Sequence, residues 1–513
     1  MTLMGPGPSP SLWQLTGPQP VGGDALPPSA EIVVAGGGLA GLATALELAR
    51  AGHEVLVVEA DALGGRTTAR TTGKISLLQG STASRVRSHG GDDAVAAYLE
   101  GNAAGARWLR YELAAVEGAC HSRTAYTYAT TDEGRKSLEE ESEAMAVGGY
   151  PAELVEGEGI GLPYVVDSAL RLVDQAQLHP LVTADVLVTR IRERGGRLVD
   201  HCRVTGVHVR PDAVEVETAQ GTVRADRLIV ATGSPIVDRS MLFAALKPER
   251  QAVVAFRLPE GQPAPDGMYL SVDPQGRSVR SDVDRDGAPA IVIAGGEIVT
   301  GRADAIGDLR DDILQWTAEH FPGATPITWW AAQDYRMTTA IPFAGAVAGG
   351  GDRIYALTGF AKWGMTNSAA AALAVAGELH GNPPEWHTRL RERRRGVKDV
   401  LSTVEANATV GARMVSGWAA PGAGSAPEPE RAHVERDGIR PVAESTVDGV
   451  TCRLSAVCTH LGGIVRWNDA ERSWDCPLHG SRFAADGSVI EGPAMKPLAP
   501  VDEPTGEAEE AHA

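Results

Sequence analysis

Between residues 31 and 60 the chain reads as strand, helix and strand. EIVVAGGG (31–38) runs a buried apolar strand into a glycine turn, LAGLATALELARAG (39–52) is a run of helix formers ending at Gly52, and HEVLVVEA (53–60) is a second buried strand. That succession within about 30 residues is a βαβ unit, and it demands a parallel sheet. Gly36, Gly38 and Gly41 place G-x-G-x-x-G at the junction of strand and helix. The first glycine permits the tight turn, the second lets backbone approach a pyrophosphate, and the third lets helix and strand pack closely. Leu39 and Ala40 open the helix, whose free N–H groups and positive dipole end face the phosphates. Glu59 closes the second strand 18 residues after Gly41, with Ala60 beside it, where a carboxylate accepts hydrogen bonds from a ribose.

The segments around this unit favour FAD. GGRTTARTTGK (64–74) follows the acid directly and offers Gly65, Arg66, Thr67, Thr68 and Lys74 where an FAD pyrophosphate and ring would run. LIVATG (228–233) follows a late pair of strands and supplies Ala231, Thr232 and Gly233 as a second contact, with Val204 on a preceding strand. No second strand–G-x-G-x-x-G–helix unit is present, because GEIVTG (296–301) and AGAVAGGG (344–351) lack that context. A separate NAD(P)H site is therefore disfavoured.

The most specific signal is C-terminal. CTHLGG (458–463) and CPLHGS (476–481) give C-x-H, fifteen intervening residues, then C-x-x-H. Zinc ribbons generally use C-x₂-C or H-x₃₋₅-H knuckles. Here each loop contributes one cysteine and one histidine, which suits a cluster whose two irons differ, one held by thiolates and one by imidazoles.

Composition bounds the rest. The 513 residues, 43% hydrophobic and 22% charged, make an ordinary globular chain of several domains with ample core. The net charge of −19 argues against nucleic acid or an anionic membrane as the main partner. Five cysteines, an odd and small number, exclude a disulfide scaffold. The opening MTLMGPGPSPSLWQL has no basic or apolar leader pattern, and no stretch approaches 18 apolar residues. The expectation is a soluble, cytoplasmic protein. Residues 1–30 read as an extended arm, 90–118 as helix, 197–233 as strands and short turns, and 306–320 as helix. RLRERRRGVKDV (389–400) reads as a basic helix with a solvated face, PGAGSAPEPE (421–430) as a linker, and the acidic tail 502–513 as disordered. Cys452 reads as strand core and His179, before Pro180, as the start of a strand. Trp329, Trp330, Asp334 and Tyr335 line a pocket or pack a core.

On GGRTTARTTGK, LIVATG and the late motif GFAKWGMTN (359–367), the chain resembles the FAD-dependent amine and amino-acid oxidase superfamily, the relatives of D-amino-acid, glycine and sarcosine oxidases. The resemblance implies a Rossmann-like α/β FAD domain in separated segments, 31–75, 175–240 and 335–380. An inserted α+β substrate domain would occupy 76–174 and 241–334. It also implies that Gly359, Lys362, Trp363, Gly364 and Met365 form the last flavin-contacting loop and helix start. Lys362 there would stabilise negative charge on reduced flavin, and Lys74 would lie near its ring. No cysteine falls in 359–367, so non-covalent FAD is expected. The two C-terminal loops resemble Rieske loops, which implies a small all-β domain (431–501) after a helix and linker (381–430). Cys458 and Cys476 would hold one iron of a [2Fe–2S] cluster, and His460 and His479 the other. The extra cysteines of respiratory-type Rieske proteins appear here as Gly463 and Leu478. Ser481 is retained, and Phe483 stands where high-potential members have Tyr. One hydrogen bond fewer to sulfur places the potential in the lower half of the Rieske range of about −150 to +300 mV.

The whole chain over about 10–500 thus resembles fusions of an amine-oxidase-like FAD domain with a Rieske domain. The function this implies is oxidation of a small organic substrate, with an amine or amino-acid C–N bond favoured. Electrons would pass from FAD to the cluster and on to an external acceptor, a redox protein or O₂. The alternatives are an electron-transfer reductase serving an oxygenase, and an O₂-using oxidase whose cluster is structural.

Overall fold

The structure, a computed structural model, describes residues 9–237, 241–302, 306–393, 397–419 and 431–501. Five strands lie side by side and run parallel: Ile354–Thr358, Gly221–Val230, Ser29–Ala35, Val55–Val58 and Arg197–Val199. Their apolar runs are covered on both faces, as a parallel sheet requires; all four residues of Val55–Val58 are buried. Phe343–Ala346 closes one edge antiparallel, and the hairpin Val204–Val209 and Val214–Thr218 pairs with the start of Gly221–Val230.

Helices Leu39–Arg50, Pro180–Arg192 and Gly364–Leu379 cover one face of this sheet. Half of the last is Ala and Gly, which allows close approach. A Cβ on Gly105, in the long helix Thr82–Leu113, would collide with the Thr366 carbonyl. That long helix bends at Gly91, whose φ of 76° no β-carbon tolerates well.

A second sheet of nine strands stands against the first. Its order is Thr325–Met337, Leu246–Arg257, Pro289–Val299, Arg277–Val283, Met268–Ser271, Cys120–Ala129, Ser168–Leu178 and Lys74–Ile75, with Glu153–Glu156 added on Ser168–Leu178. Its strands Ser168–Leu178 and Thr325–Met337 end a few residues beyond the expected segment edges at 175 and 335. The C-terminal head is all β: Arg431–Asp437, Arg440–Val447 and Val450–Ser455 form one sheet, and four three-residue strands between Arg466 and Glu491 form another.

Three local expectations are corrected. The N-terminal arm is not extended throughout: Leu12–Thr16 is a helix with a capping box between Ser11 and Gln14. Leu12 and Trp13 are fully buried there, and Trp13 Nε1 donates to the Thr71 carbonyl at 2.6 Å. His179 begins a helix, not a strand. Pro180 supplies the fixed φ of a first helical residue, and His179 Nδ1 caps by accepting from Val182 N–H at 3.3 Å. The basic helix expected over 389–400 is two helices, Glu385–Glu392 and Val397–Ala419, because Arg393 leaves helical geometry at ψ 138°. The linker 421–430 and the tail 502–513 lie outside the described residues. Among the described residues, no helix is long and apolar enough to cross a membrane.

Candidate functional site: a nucleotide cavity walled by a cluster-bearing head

A cavity of about 520 Å³ lies between the two sheets. Most residues proposed for the cofactor from sequence line it: Gly36, Gly38, Leu39 and Ala40 at the glycine turn, and Glu59 with Ala60 at the second strand. Gly65, Arg66, Thr67, Thr68 and Lys74 line it, as do Val204 and Ala231–Gly233. Lys362, Trp363, Gly364 and Met365 close the far end. Gly41 and Gly359 do not line it; they act behind it. A Cβ on Gly41 would collide with the Gly36 carbonyl, and one on Gly359 with Met337.

The geometry fits a dinucleotide. A Cβ on Gly36 would collide with the Ala231 carbonyl, so only glycine brings the two strand ends this close. The helix Leu39–Arg50 starts on Gly38 without a side-chain cap. Its Leu39 N–H is held by Thr68 Oγ1 at 2.9 Å, which folds the segment 64–74 over the helix start. Glu59 accepts from Gly37 N–H at 2.6 Å and from Asp61 N–H at 2.9 Å, leaving further lone pairs for a ribose. Burial raises its pKa, and those N–H donors oppose the rise.

The two candidate lysines differ. Lys74 is 7% exposed and donates from Nζ to the Tyr269 carbonyl at 2.7 Å and to Ser278 Oγ at 2.6 Å. Burial, with the Arg280 charge adding to it, lowers its pKa to about 7. Lys362 sits with Ala361 in left-handed backbone, φ 72° and 52°, a strained pair at the cavity rim. Its ammonium is engaged by the Glu297 carboxylate, which neutralises much of the positive charge the sequence placed there. Trp329 and Trp330 are core residues on opposite faces of their strand, whereas Asp334 and Tyr335 line the cavity. Burial raises Asp334 to a pKa of about 6, against N–H bonds from Tyr335 and Lys362.

Arg85 was missed. It lines the cavity from the helix Thr82–Leu113, with Nη2 on Ser81 Oγ at 3.1 Å and, among the described residues, no carboxylate in ion-pair range. No spacing rule marks such a residue, because it reaches the cavity by a helix packed across the sheet.

The head supplies the second centre. Cys458 and Cys476 are buried, and their thiols are close enough for each to shift the other's ionisation. The His460 and His479 rings lie 5.2 Å apart. Burial lowers both imidazoles to a pKa of about 4, so they are neutral, the form that ligates metal. Among the described residues, His479 Nδ1 is buried without a hydrogen-bond partner. Two thiols, two neutral imidazoles and an orphaned ring nitrogen converge as a [2Fe–2S] site of Rieske type needs. Leu478 packs into the space that a side chain at Gly463 would occupy, so these two positions face each other without a disulfide. Ser481 lies beside Cys458, lowering its thiol pKa, and accepts from Ala494 N–H at 3.1 Å. Cys452 is half-buried at the edge of the head's core.

The cavity and the head share a wall two strands wide. Along Leu246–Arg257, Glu249 and Gln251 line the cavity, while Pro248 packs on Gly480 and Arg250 pairs with the head. Along Thr325–Met337, Ala332, Asp334 and Arg336 line the cavity, while Gln333 donates to the Gly480 carbonyl at 2.9 Å. The period of two in a strand accounts for the division. Arg250, Glu471, Arg482 and Glu491 form an ion network at the interface, the first three almost wholly buried: Arg250–Glu491 3.4 Å, Arg482–Glu471 3.2 Å, Arg482–Glu491 3.1 Å. Phe243 stands edge-on to both His460 and His479, at 5.0 and 4.8 Å.

Comparison with known proteins agrees with this division. Residues 31–378 match the family model for FAD dependent oxidoreductases, and 427–502 match the Rieske [2Fe-2S] domain. The chain is 30% identical over 492 residues to YhfW of Bacillus subtilis (strain 168), whose name carries the words Rieske 2Fe-2S iron-sulfur protein; the match covers 92% of this chain and 93% of that protein. Over 46 residues, 9% of this chain and 26% of the other, it is 56% identical to cytochrome b6-f complex iron-sulfur subunit 1 of Nostoc sp.. Two solved structures share the fold. L-proline dehydrogenase from P. horikoshii has a TM-score of 0.59 at 18% identity, over 71% of this chain and 98% of that one. Glycine oxidase from Geobacillus kaustophilus has 0.58 at 18%, over 70% and 96%.

Proposed function

We propose, for a chain that belongs to the FAD-dependent oxidoreductase family and carries a C-terminal Rieske domain, that it oxidises the C–N bond of a small amine or amino acid and delivers the electrons to its own cluster. The observation that carries this reading is the shared wall: one pair of strands lines the cofactor cavity on one face and holds the cluster loop on the other. FAD accepts two electrons as a hydride, and a [2Fe–2S] cluster carries one at a time. An amine R₂CH–NH₂ becomes the imine R₂C=NH with loss of two electrons and two protons, and water then hydrolyses the imine. The electrons leave singly, to two equivalents of an external one-electron acceptor.

The chain's residues serve this chemistry from the second sheet and the long helix. Lys74, poised between charged and neutral near pH 7, takes a proton from the substrate ammonium, since only the neutral amine gives up hydride readily. Arg85 offers an unpaired guanidinium to a carboxylate, which favours amino acids over simple amines. Apolar packing on the cavity face of the wall strands, around Val253 and Trp330, keeps water from the reacting face. Similarity in fold to a glycine oxidase and an L-proline dehydrogenase supports the same substrate class.

The test is anaerobic mixing of the holoenzyme with amino acids, amines and NAD(P)H, following flavin absorbance and then cluster EPR. Bleaching by an amino acid with a reduced cluster signal is the expected result. Bleaching by NAD(P)H alone would make the protein a reductase. Bleaching by an amino acid with a silent cluster would leave O₂ as acceptor.

A further inference from the structure

We propose that Gln333, with Tyr335, is the bonded bridge along which electrons cross from the flavin cavity to the cluster, entering its loop at the carbonyl of Gly480, the residue after the ligand His479. The proposal rests on the reading of the protein as a flavin-to-cluster relay.

Gln333 is 2% exposed, and all of its amide is committed. Its Nε2 donates to Tyr335 Oη at 2.7 Å and to the Gly480 carbonyl at 2.9 Å; its Oε1 accepts from Thr300 Oγ1 at 2.8 Å. Both protons of one amide nitrogen are thus spent on joining a cavity residue to the cluster loop. Tyr335 lines the cavity, where Gly233 leaves room for its ring; a Cβ there would lie 3.1 Å from Tyr335 Cε2. Gly480 lies between His479 and Ser481 and returns its own N–H to the Cys476 carbonyl at 3.2 Å.

Residues 333 and 335 share the strand face turned to the head, and Tyr335 stands where the wall ends, so its ring reaches the cavity as well. Electronic coupling decays steeply across empty space and far more slowly along bonds and hydrogen bonds, so a two-hydrogen-bond bridge outcompetes a gap. Burial pushes the Tyr335 phenol up, and among the described residues its hydroxyl is hydrogen-bonded only to Gln333 Nε2 and the Gly492 carbonyl. The nearby carboxylates of Glu491 and Asp334 disfavour its anion further, so the phenol keeps its proton and serves as a path, not as a site where charge rests.

A second contact with the loop, Arg302 Nε to the Pro477 carbonyl at 3.0 Å, makes the control. It grips the same loop, but Arg302 does not line the cavity.

The experiment uses the holoenzyme without substrate. Under anaerobic conditions, light with EDTA as sacrificial donor reduces the bound flavin, and the growth of the reduced-cluster signal is timed. Gln333→Leu keeps volume and removes both bonds; Tyr335→Phe keeps the ring and removes the hydroxyl. Each is expected to slow cluster reduction by about tenfold, an activation difference of about 1.4 kcal/mol, with flavin content and cluster potential unchanged. Arg302→Ala is expected to transfer at the wild-type rate. Wild-type rates in both bridge variants overturn the proposal, as does a slowing matched by a shifted cluster potential, which would mean altered driving force. Slow transfer in Arg302→Ala with normal transfer in the bridge variants would move the path to Pro477. A wild-type cluster that stays oxidised beside photoreduced flavin defeats the relay reading itself, so the two failures are distinguishable.

Discussion

Ser481 and Lys74 show how single side chains set the chemistry. Ser481 stands on the second cluster loop with its hydroxyl beside Cys458, and a hydrogen bond to sulfur stabilises the electron-rich reduced cluster. One such bond is worth about 0.5–1.5 kcal/mol, so Ser481→Ala is expected to lower the midpoint potential by roughly 20–60 mV in a redox titration. An unchanged potential would show that the hydroxyl serves only Ala494 N–H. Lys74 is proposed to act through its proton. Burial holds it near pKa 7, so the neutral form gains as pH rises through 7, and substrate-driven flavin reduction is expected to climb over that window. Lys74→Met should flatten the limb while leaving the flavin spectrum in place. A limb that persists in Lys74→Met would assign the proton to another group.

At the scale of elements, close packing at the glycine turn decides whether the cofactor site exists. Gly41 lets the first helix rest on the carbonyl of Gly36, and a methyl group there collides with that oxygen. Gly41→Ala is therefore expected to push the helix start off the strand, costing about 1–3 kcal/mol of stability and most of the bound flavin. Melting temperature and flavin-to-protein ratio check both; retention of full flavin would sever the helix approach from cofactor binding. The wall strands work in the opposite sense. Their polar residues, Glu249 and Arg250 or Gln333 and Asp334, look wrong for buried strands until each alternate residue is given its own partner. KPERQ and QDY are continuous polar runs with no alternation, so the sequence did not show which residue lay on which face.

Across the whole molecule, the head is fixed by ions as well as apolar contact. Burial raises Glu471, but the charges of Arg250 and Arg482 outweigh it and hold the carboxyl at about 2. Its folded pKa thus lies below the ordinary 4.5, so its contribution is complete above pH 4.5 and is lost as pH falls towards 2. Docking of the head is expected to be steady from neutrality down to pH 4.5 and to weaken only below it, measured by small-angle scattering. Arg250→Met removes one partner from buried carboxylates and is expected to cost about 3–5 kcal/mol, because the remaining charges are left uncompensated. A calorimetric trace in which the head melts separately would register it; an unaltered trace would mean the apolar contacts suffice.

The sequence by itself determined the chemistry that depends on neighbours along the chain. The glycine turn with its acid, and the paired Cys/His loops, are local because phosphate cradles and cluster loops are each built within a few consecutive residues. Two cofactors, an α/β domain and an all-β head followed from them. Tertiary structure decided what depends on distant segments meeting. It buried Trp13 beneath a strand some 300 positions away, turned His179 into a helix cap, gave Lys362 to Glu297 and brought Arg85 to the cavity. It also set Gln333 and Arg250 against the head. A strand's sequence states that its faces differ; only the fold, by placing a cofactor cavity on one and a cluster domain on the other, makes those faces the two sides of the proposed relay.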